Sequence, residues 1–160
     1  MRSVLFLCTG NSARSILAEA ILNHLGQDKF QGFSAGSHPT GKVNPFALEI
    51  LREMEVPVAG ARSKAWDEFA SPGAPNIDYV ITVCDNAAGE PCPVWPGKPA
   101  KAHWGVADPA AAQGTDDEKR AAFREAATVL ERRVRFLVDA RIEDLDARAA
   151  QEALDEAARQ

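Results

Sequence analysis

Residues 4–15, Val-Leu-Phe-Leu-Cys-Thr-Gly-Asn-Ser-Ala-Arg-Ser, constrain the fold more than any other part of this 160-residue chain. A continuous apolar run, of the kind found in a strand buried on both faces, ends on Cys8. Small and polar residues follow at Thr9, Gly10, Asn11, Ser12 and Ala13, and Arg14 and Ser15 then open an amphipathic stretch. A Cys-x5-Arg-Ser loop between strand and helix suits a tetrahedral oxyanion held against a sulfur. Backbone N–H groups of residues 9–14 can converge as an anion nest over the positive end of the helix dipole. Arg14 adds a planar fork that binds two oxygens at once, which lysine does not. The same surroundings favour a thiolate. A free cysteine titrates near about 8.5, and a helix N-terminus or a neighbouring cation lowers this to roughly 3.5–7.5. The pattern therefore predicts a strongly lowered pKa for Cys8, with Ser15 placed to hydrogen-bond the thiolate. An inert cysteine at the end of a buried strand is the plainer alternative. The polar residues around Cys8 argue against it.

Strand and helix signals alternate along the chain. Residues 3–7 predict a first strand, and a helix is expected from about 13 to 25. Ile16, Leu17, Ala20, Ile21 and Leu25 lie on one face of it and Gly26 ends it. Residues 30–35 read as a short second strand. Asn44-Pro45 opens a helix through Met54, because Asn caps and proline suits the first helical position. A short helix or turn is expected over 63–69, and a third strand over 77–83, running into Cys84. Residues 84–100 read as a Pro/Gly-rich loop and 101–106 as a weaker fourth strand. Thr115-Asp-Asp-Glu118 is a capping box opening a long helix to about Val138. This alternation predicts an α/β fold: a parallel sheet, helices on both faces, right-handed crossovers, and ligands at the carboxyl ends of the strands. Cys8 and Cys84 both fall at such ends and can face one crevice, although 76 positions separate them.

Composition narrows the function. With 46% hydrophobic and 26% charged residues, the chain reads as an ordinary globular domain, expected over 1–140. Residues 141–160 are rich in alanine and charge, and read as a helical extension or a frayed tail. A net charge of −5 disfavours a nucleic-acid partner and requires any anion site to be made locally. No apolar run is long enough to span a membrane, and the N-terminal apolar strand is too short for a signal peptide. A cytoplasmic location is expected, where thiols stay reduced. Three cysteines there suggest catalytic or redox use rather than a disulfide framework.

Further motifs join the loop: Ser-Ala-Gly at 34–36, Asn-Pro at 44–45, and Val-Ile-Thr-Val-Cys-Asp at 80–85. Cys92-Pro93 and His-Trp-Gly-x-x-Asp-Pro-Ala at 103–110 complete the set. Over residue 2 to about 138 the chain resembles the arsenate reductases of the low-molecular-weight protein-tyrosine-phosphatase superfamily. The resemblance implies a three-layer α/β/α fold with a four-stranded parallel sheet of order 2-1-3-4. It also implies a relay. Cys8 attacks arsenate while Asp108 protonates the departing oxygen, Cys84 then attacks Cys8 and releases arsenite, and Cys92 leaves a Cys84–Cys92 disulfide for an external reductant. Cys84 and Cys92 lie in a segment with Gly89, Pro91 and Pro93 that can move the disulfide outward. Seven residues separate them, slightly more than in thioredoxin-coupled members. Thioredoxin is the reductant implied, with glutathione/glutaredoxin as the alternative, and no cofactor is bound. Some members bind potassium beside the loop. Asn11, Glu19 and Ser34 match three of those ligands, but the aspartate of that site does not align with Asp67, and no metal is expected.

Other residues admit plainer roles. Asp108-Pro109 fits an ordinary turn, though its position after Trp104 and Gly105 favours the acid. Cys84 and Cys92 could be inert thiols, but Cys92 between two prolines is poorly suited to packing. His24 and His38 read as incidental and His103 as structural, since no metal spacing appears. Trp66, Trp95 and Trp104 read as packing residues or pocket walls. Three functions remain open: arsenate reduction, phosphotyrosine or small aryl phosphate hydrolysis through Cys8, Arg14 and Asp108, and non-catalytic oxyanion binding. Pro-Ala-Ala-Ala-Gln follows Asp108, with no aromatic until Phe123 to grip a phenyl ring, which favours a small inorganic oxyanion.

Overall fold

The computed structural model describes residues 1–90 and 95–160; Pro91, Cys92, Pro93 and Val94 lie outside the described residues. Four strands, β1 (Arg2–Leu7), β2 (Phe30–Ala35), β3 (Tyr79–Thr82) and β4 (Ala100–His103), form one sheet. All are parallel and their order is β2-β1-β3-β4, as the resemblance implied. The apolar run explains why β1 is central. Val4 and Phe6 enter one core, and Leu5 and Leu7 enter another on the opposite face. All four are essentially without solvent contact, so each contributes about 1.5–3 kcal/mol relative to exposure.

One face carries α1 (Arg14–Leu25), α2 (Pro45–Glu53), α5 (Asp116–Asp139) and α6 (Ala147–Ala157). The other is covered by Phe69 of α3 (Asp67–Ala70) with Trp66 and Trp95. The capping signals act as expected. The Asn44 side chain accepts from the Phe46 N–H at 2.9 Å, and the Thr115 hydroxyl from the Glu118 N–H at 3.2 Å. Helix α1 buries Ile16, Leu17, Ala18, Ile21 and Leu22. Ala18 and Leu22 belong to that face because the helix is wedged among β2, α2 and α5 rather than lying on one flat surface.

One segment departs from the sequence reading, and a second takes the helical one of its two alternatives. The stretch expected to be loop over 84–100 opens with α4 (Asp85–Gly89). Its five residues are too few to show a helical period, and its cap is the Cys84 sulfur, which accepts from the Ala87 N–H at 3.4 Å. Residues 141–160 form a 3-10 turn over Ile142–Asp144 and then α6. Asp146 caps α6 by accepting from the Ala149 N–H at 2.8 Å. Ile142, Ala150, Leu154 and Ala157 are buried against the core. The Trp104 indole N–H donates to the Leu154 carbonyl at 3.0 Å, and the Gln151 amide donates to the Lys101 carbonyl at 2.8 Å. These contacts attach α6 to the edge strand β4. No helix among the described residues is long and apolar enough to cross a membrane.

Because Leu154 fills the joint between α6 and Trp104, Leu154→Ala should destabilise the chain by about 2–5 kcal/mol. Urea unfolding should show it as a lower midpoint at unchanged slope. An unchanged midpoint would show that α6 contributes nothing to the core.

Candidate oxyanion and thiol site

The loop after β1 is built by sending its carbonyls outward. Thr9 O accepts from the His38 N–H at 2.9 Å, Gly10 O from the Thr40 N–H at 3.0 Å, and Ser12 O from the Asn44 N–H at 2.8 Å. No cis peptide bond occurs among the described residues, so each following N–H points opposite its carbonyl. The N–H groups of Gly10, Asn11 and Ala13 therefore turn toward the concave side, at the head of α1. Asn11 sits in the left-handed region (φ 44°), which asparagine tolerates better than most residues. Both ends of its side chain are engaged: Oδ1 accepts from the Lys64 N–H at 2.9 Å and Nδ2 donates to Ser15 Oγ at 2.8 Å. Gly36 passes directly beneath, where a Cβ would collide with the carbonyl oxygens of Thr9 and Cys8. That contact accounts for the glycine of Ser-Ala-Gly.

Ser15 was expected to serve the Cys8 thiolate. The hydrogen bond that places it is with Asn11, so its visible role is to hold the loop's left-handed turn. The two strand-end cysteines do meet. In register, Leu7 of β1 lies beside Thr82 of β3, and Val83 N–H donates to Leu7 O at 2.9 Å. Cys8 and Cys84 are both reduced and buried. The Cys84 sulfur accepts from the N–H of Thr9, the residue after Cys8, at 3.4 Å and from the Ala87 N–H at 3.4 Å.

This geometry corrects the expected ionisation. Donation to Cys84, reinforced by burial, pushes the Cys8 thiol up, and the pull of Arg14 in the other direction does not prevail. The hydrogen bond from Cys8 and those from Thr9 and Ala87 outweigh burial at Cys84 and bring its thiol down to about 5. The two shifts run in opposite directions and favour the anion at Cys84, where the N–H groups of Thr9 and Ala87 donate.

Arg14 and Asp108 are also brought together. Arg14 Nη1 donates to Val106 O at 2.9 Å, and Nη2 lies 3.7 Å from Asp108 Oδ2. Asp108 Oδ1 accepts from the Ala110 N–H at 3.0 Å and so caps the 3-10 turn Pro109–Ala111. Turn residue and site residue are therefore the same carboxylate, with 44% of its side chain open to solvent. The segment bearing it is pinned from behind. Val106 N–H donates to Val83 O at 3.1 Å, and buried Arg133 donates to Gly105 O at 3.1 Å. Cys92 lies outside the described residues.

Sequence reasoning missed Glu90 and Lys64. Glu90 Oε1 accepts from the Thr9 hydroxyl at 2.8 Å, and Oε2 lies 3.5 Å from His38 Nδ1, so the residue joins the Cys84 segment to the oxyanion loop. Hydrogen bonds from Ser37 and Thr9 hold its carboxyl below the ordinary range. A lone glutamate between Gly89 and Pro91 carries no periodic signal that would have revealed this. His103 is structural as read: Nδ1 meets the Thr82 hydroxyl at 2.7 Å and Nε2 meets Asp85 at 2.9 Å, tying β3, β4 and α4 together.

In the reduced protein, ultraviolet thiolate absorbance should rise as pH increases through about 5. Carbon NMR of Cβ-labelled cysteine should assign that step to Cys84. In Cys84→Ser the largest cause that raises Cys8, its interaction with the Cys84 sulfur, is lost, so the Cys8 midpoint should fall. An ordinary cysteine midpoint at Cys84 would overturn the placement of the anion.

Comparison with known proteins agrees with this geometry. The low molecular weight phosphotyrosine protein phosphatase model matches residues 3–151. An arsenate reductase of Halalkalibacterium halodurans is 37% identical over 136 residues, covering 85% of this chain and 94% of that one. Among solved structures, an arsenate reductase in the phosphate binding state superposes with a TM-score of 0.68 at 26% identity, over 87% of this chain and 98% of the other. A thioredoxin-dependent arsenate reductase of Corynebacterium glutamicum superposes with a TM-score of 0.62 at 28% identity, over 87% of this chain and 60% of the other. On its loop, its sheet and these matches, the chain belongs to the low-molecular-weight phosphotyrosine protein phosphatase family.

Proposed function

We propose that this chain is an arsenate reductase working through Cys8, Cys84 and Cys92. The observation that carries the reading is the Cys84 sulfur set against the oxyanion loop, 3.4 Å from the N–H of Thr9, the residue that follows Cys8. Hydrolysis of a phosphate ester needs one sulfur nucleophile. A second sulfur beside the loop that carries the first is what a two-electron reduction needs. The curated relative named as an arsenate reductase supports the same substrate. The neighbouring reductase in its phosphate binding state supports a tetrahedral anion in this loop.

The steps follow from the residues. Arsenate sits on the N–H groups of Gly10, Asn11 and Ala13, with the Arg14 fork on two oxygens. Cys8 sulfur attacks arsenic as its proton passes along the hydrogen bond to Cys84. One As–O bond breaks, and Asp108 delivers the proton that lets water leave. Cys84 then passes that proton to an oxygen on arsenic and attacks the Cys8 sulfur. The S–S bond forms and the S–As bond breaks. The electron pair stays on arsenic, which departs as arsenite, reduced from As(V) to As(III). Cys92 attacks Cys84, frees Cys8, and leaves a Cys84–Cys92 disulfide for an external dithiol. Thioredoxin is that dithiol by likeness to the thioredoxin-dependent neighbour; glutathione with glutaredoxin is the alternative. No step draws on a bound cofactor, a nucleic acid or a membrane, and the chemistry suits the reducing cytoplasm. The same Cys8, Arg14 and Asp108 should also hydrolyse a small aryl phosphate slowly, as a side activity.

Asp108→Asn should slow arsenite release by roughly 10²–10⁴-fold with the fold intact. Unchanged turnover would reduce Asp108 to its capping role. The relay has its own test. With thioredoxin as sole reductant, Cys92→Ser should release about one arsenite per chain and stall with a Cys8–Cys84 disulfide, seen by peptide mapping. Sustained turnover of that variant would falsify the three-cysteine scheme. Turnover only with glutathione and glutaredoxin would show that an external thiol does the resolving.

A further inference from the structure

Beneath the loop lies a charged group that the proposed chemistry does not use. Lys64 has 6% of its side chain exposed, and Glu19 of α1, which it faces, has 17%. The Lys64 Nζ donates to Ser34 Oγ of β2 at 3.3 Å and to the Arg62 carbonyl at 3.0 Å, and lies 3.9 Å from Glu19 Oε1. Ser34 spends its own proton on Glu19 Oε2 at 2.8 Å. Three oxygens thus face one nitrogen, the number that an ammonium can serve with its three hydrogens. A carboxylate, a hydroxyl and a carbonyl are also the donors that a monovalent metal cation would take.

Potassium, which some relatives of this family hold beside the loop, does not fit here. Two of the three residues that match its ligands, Glu19 and Ser34, already surround Nζ. The third, Asn11, has its side-chain oxygen committed to the Lys64 N–H at 2.9 Å. A metal ion entering this cage would sit at contact distance from a buried ammonium.

We propose that Lys64 is a built-in cation that takes the place of potassium beneath the oxyanion loop, and that it is a positioning residue for oxyanion binding. The connection to the loop is short. The ammonium clamps the segment of Arg62 and Lys64 to α1 through Glu19 and to β2 through Ser34. That clamp sets the Lys64 N–H on Asn11 Oδ1, and the other end of the Asn11 amide bonds Ser15. Asn11 is the left-handed residue of the loop, so holding its side chain holds the turn that aims the neighbouring N–H groups inward. The inference rests on the oxyanion-binding part of the reading above and not on the relay.

The test uses inorganic phosphate as the probe and calorimetry as the readout, with melting temperature measured alongside. Wild type should show the same phosphate affinity and melting temperature in potassium chloride as in choline chloride at equal ionic strength. Phosphate binding itself tests the oxyanion reading, whereas its response to cations tests this one, so the two fail separately. Lys64→Ala in choline chloride should bind phosphate roughly tenfold more weakly, a usual size for coupling between neighbouring sites. Ammonium or potassium chloride should restore most of that affinity by entering the emptied cage. The double variant Lys64→Met/Glu19→Gln leaves no buried carboxylate unpaired and guards against simple misfolding; it should bind weakly in every salt, because the anionic donor is gone. A wild type that melts higher or binds phosphate more tightly in potassium overturns the proposal. So does wild-type affinity in Lys64→Ala without ammonium or potassium, or in the double variant.

Discussion

The outward pairing of three carbonyls, Thr9, Gly10 and Ser12, is the constraint from which the rest of the site follows. A trans peptide cannot turn its carbonyl one way without turning the next N–H the other. The segment from His38 to Asn44 supplies the outward partners and so determines what faces inward. A ring of N–H groups at a helix N-terminus is an unfavourable concentration of positive dipoles until an anion meets it. Because the chain carries a net charge of −5, this local arrangement and Arg14, rather than the overall field, must attract the oxyanion. Gly36 belongs to the same constraint, since only a residue without Cβ lets β2's exit pass under the loop.

The loop divides its donors between two tasks. Thr9 gives its N–H to the Cys84 sulfur, while the N–H groups of Gly10, Asn11 and Ala13 turn toward the concave side. Anion binding and thiol ionisation therefore share one piece of backbone. Glu90 adds a second link, through the Thr9 hydroxyl, between this backbone and the segment that leads toward Cys92. A shift of that segment changes the hydrogen bonds of Thr9, and with them the surroundings of both sulfurs.

Much of the fold was legible because its signals are local. The apolar run of β1, the Asn44-Pro45 cap and the capping box at Thr115 each lie within a few residues of the structure they start. Helix α4 was missed because five residues show no period and its cap is a sulfur. The role of α6 was left open because alanines and charges carry a weak apolar signal. Its hold comes from Leu154 and a carbonyl that accepts from Trp104, 50 positions away.

The sequence by itself determined the oxyanion loop, the strand-end cysteines and the alternation that brings strand ends to one edge of a parallel sheet. All of these rest on residue type and short spacing. Only the tertiary structure decided which sulfur is favoured as the anion, because the Cys84 sulfur accepts from the N–H of Thr9, 75 positions away, as well as from its neighbour Ala87. Only it decided that Lys64 is buried, since nothing in Arg-Ser-Lys-Ala-Trp distinguishes a lysine under the loop from one in water. Proton position and burial depend on what surrounds a group from every side, and for these residues the surroundings come from distant parts of the chain.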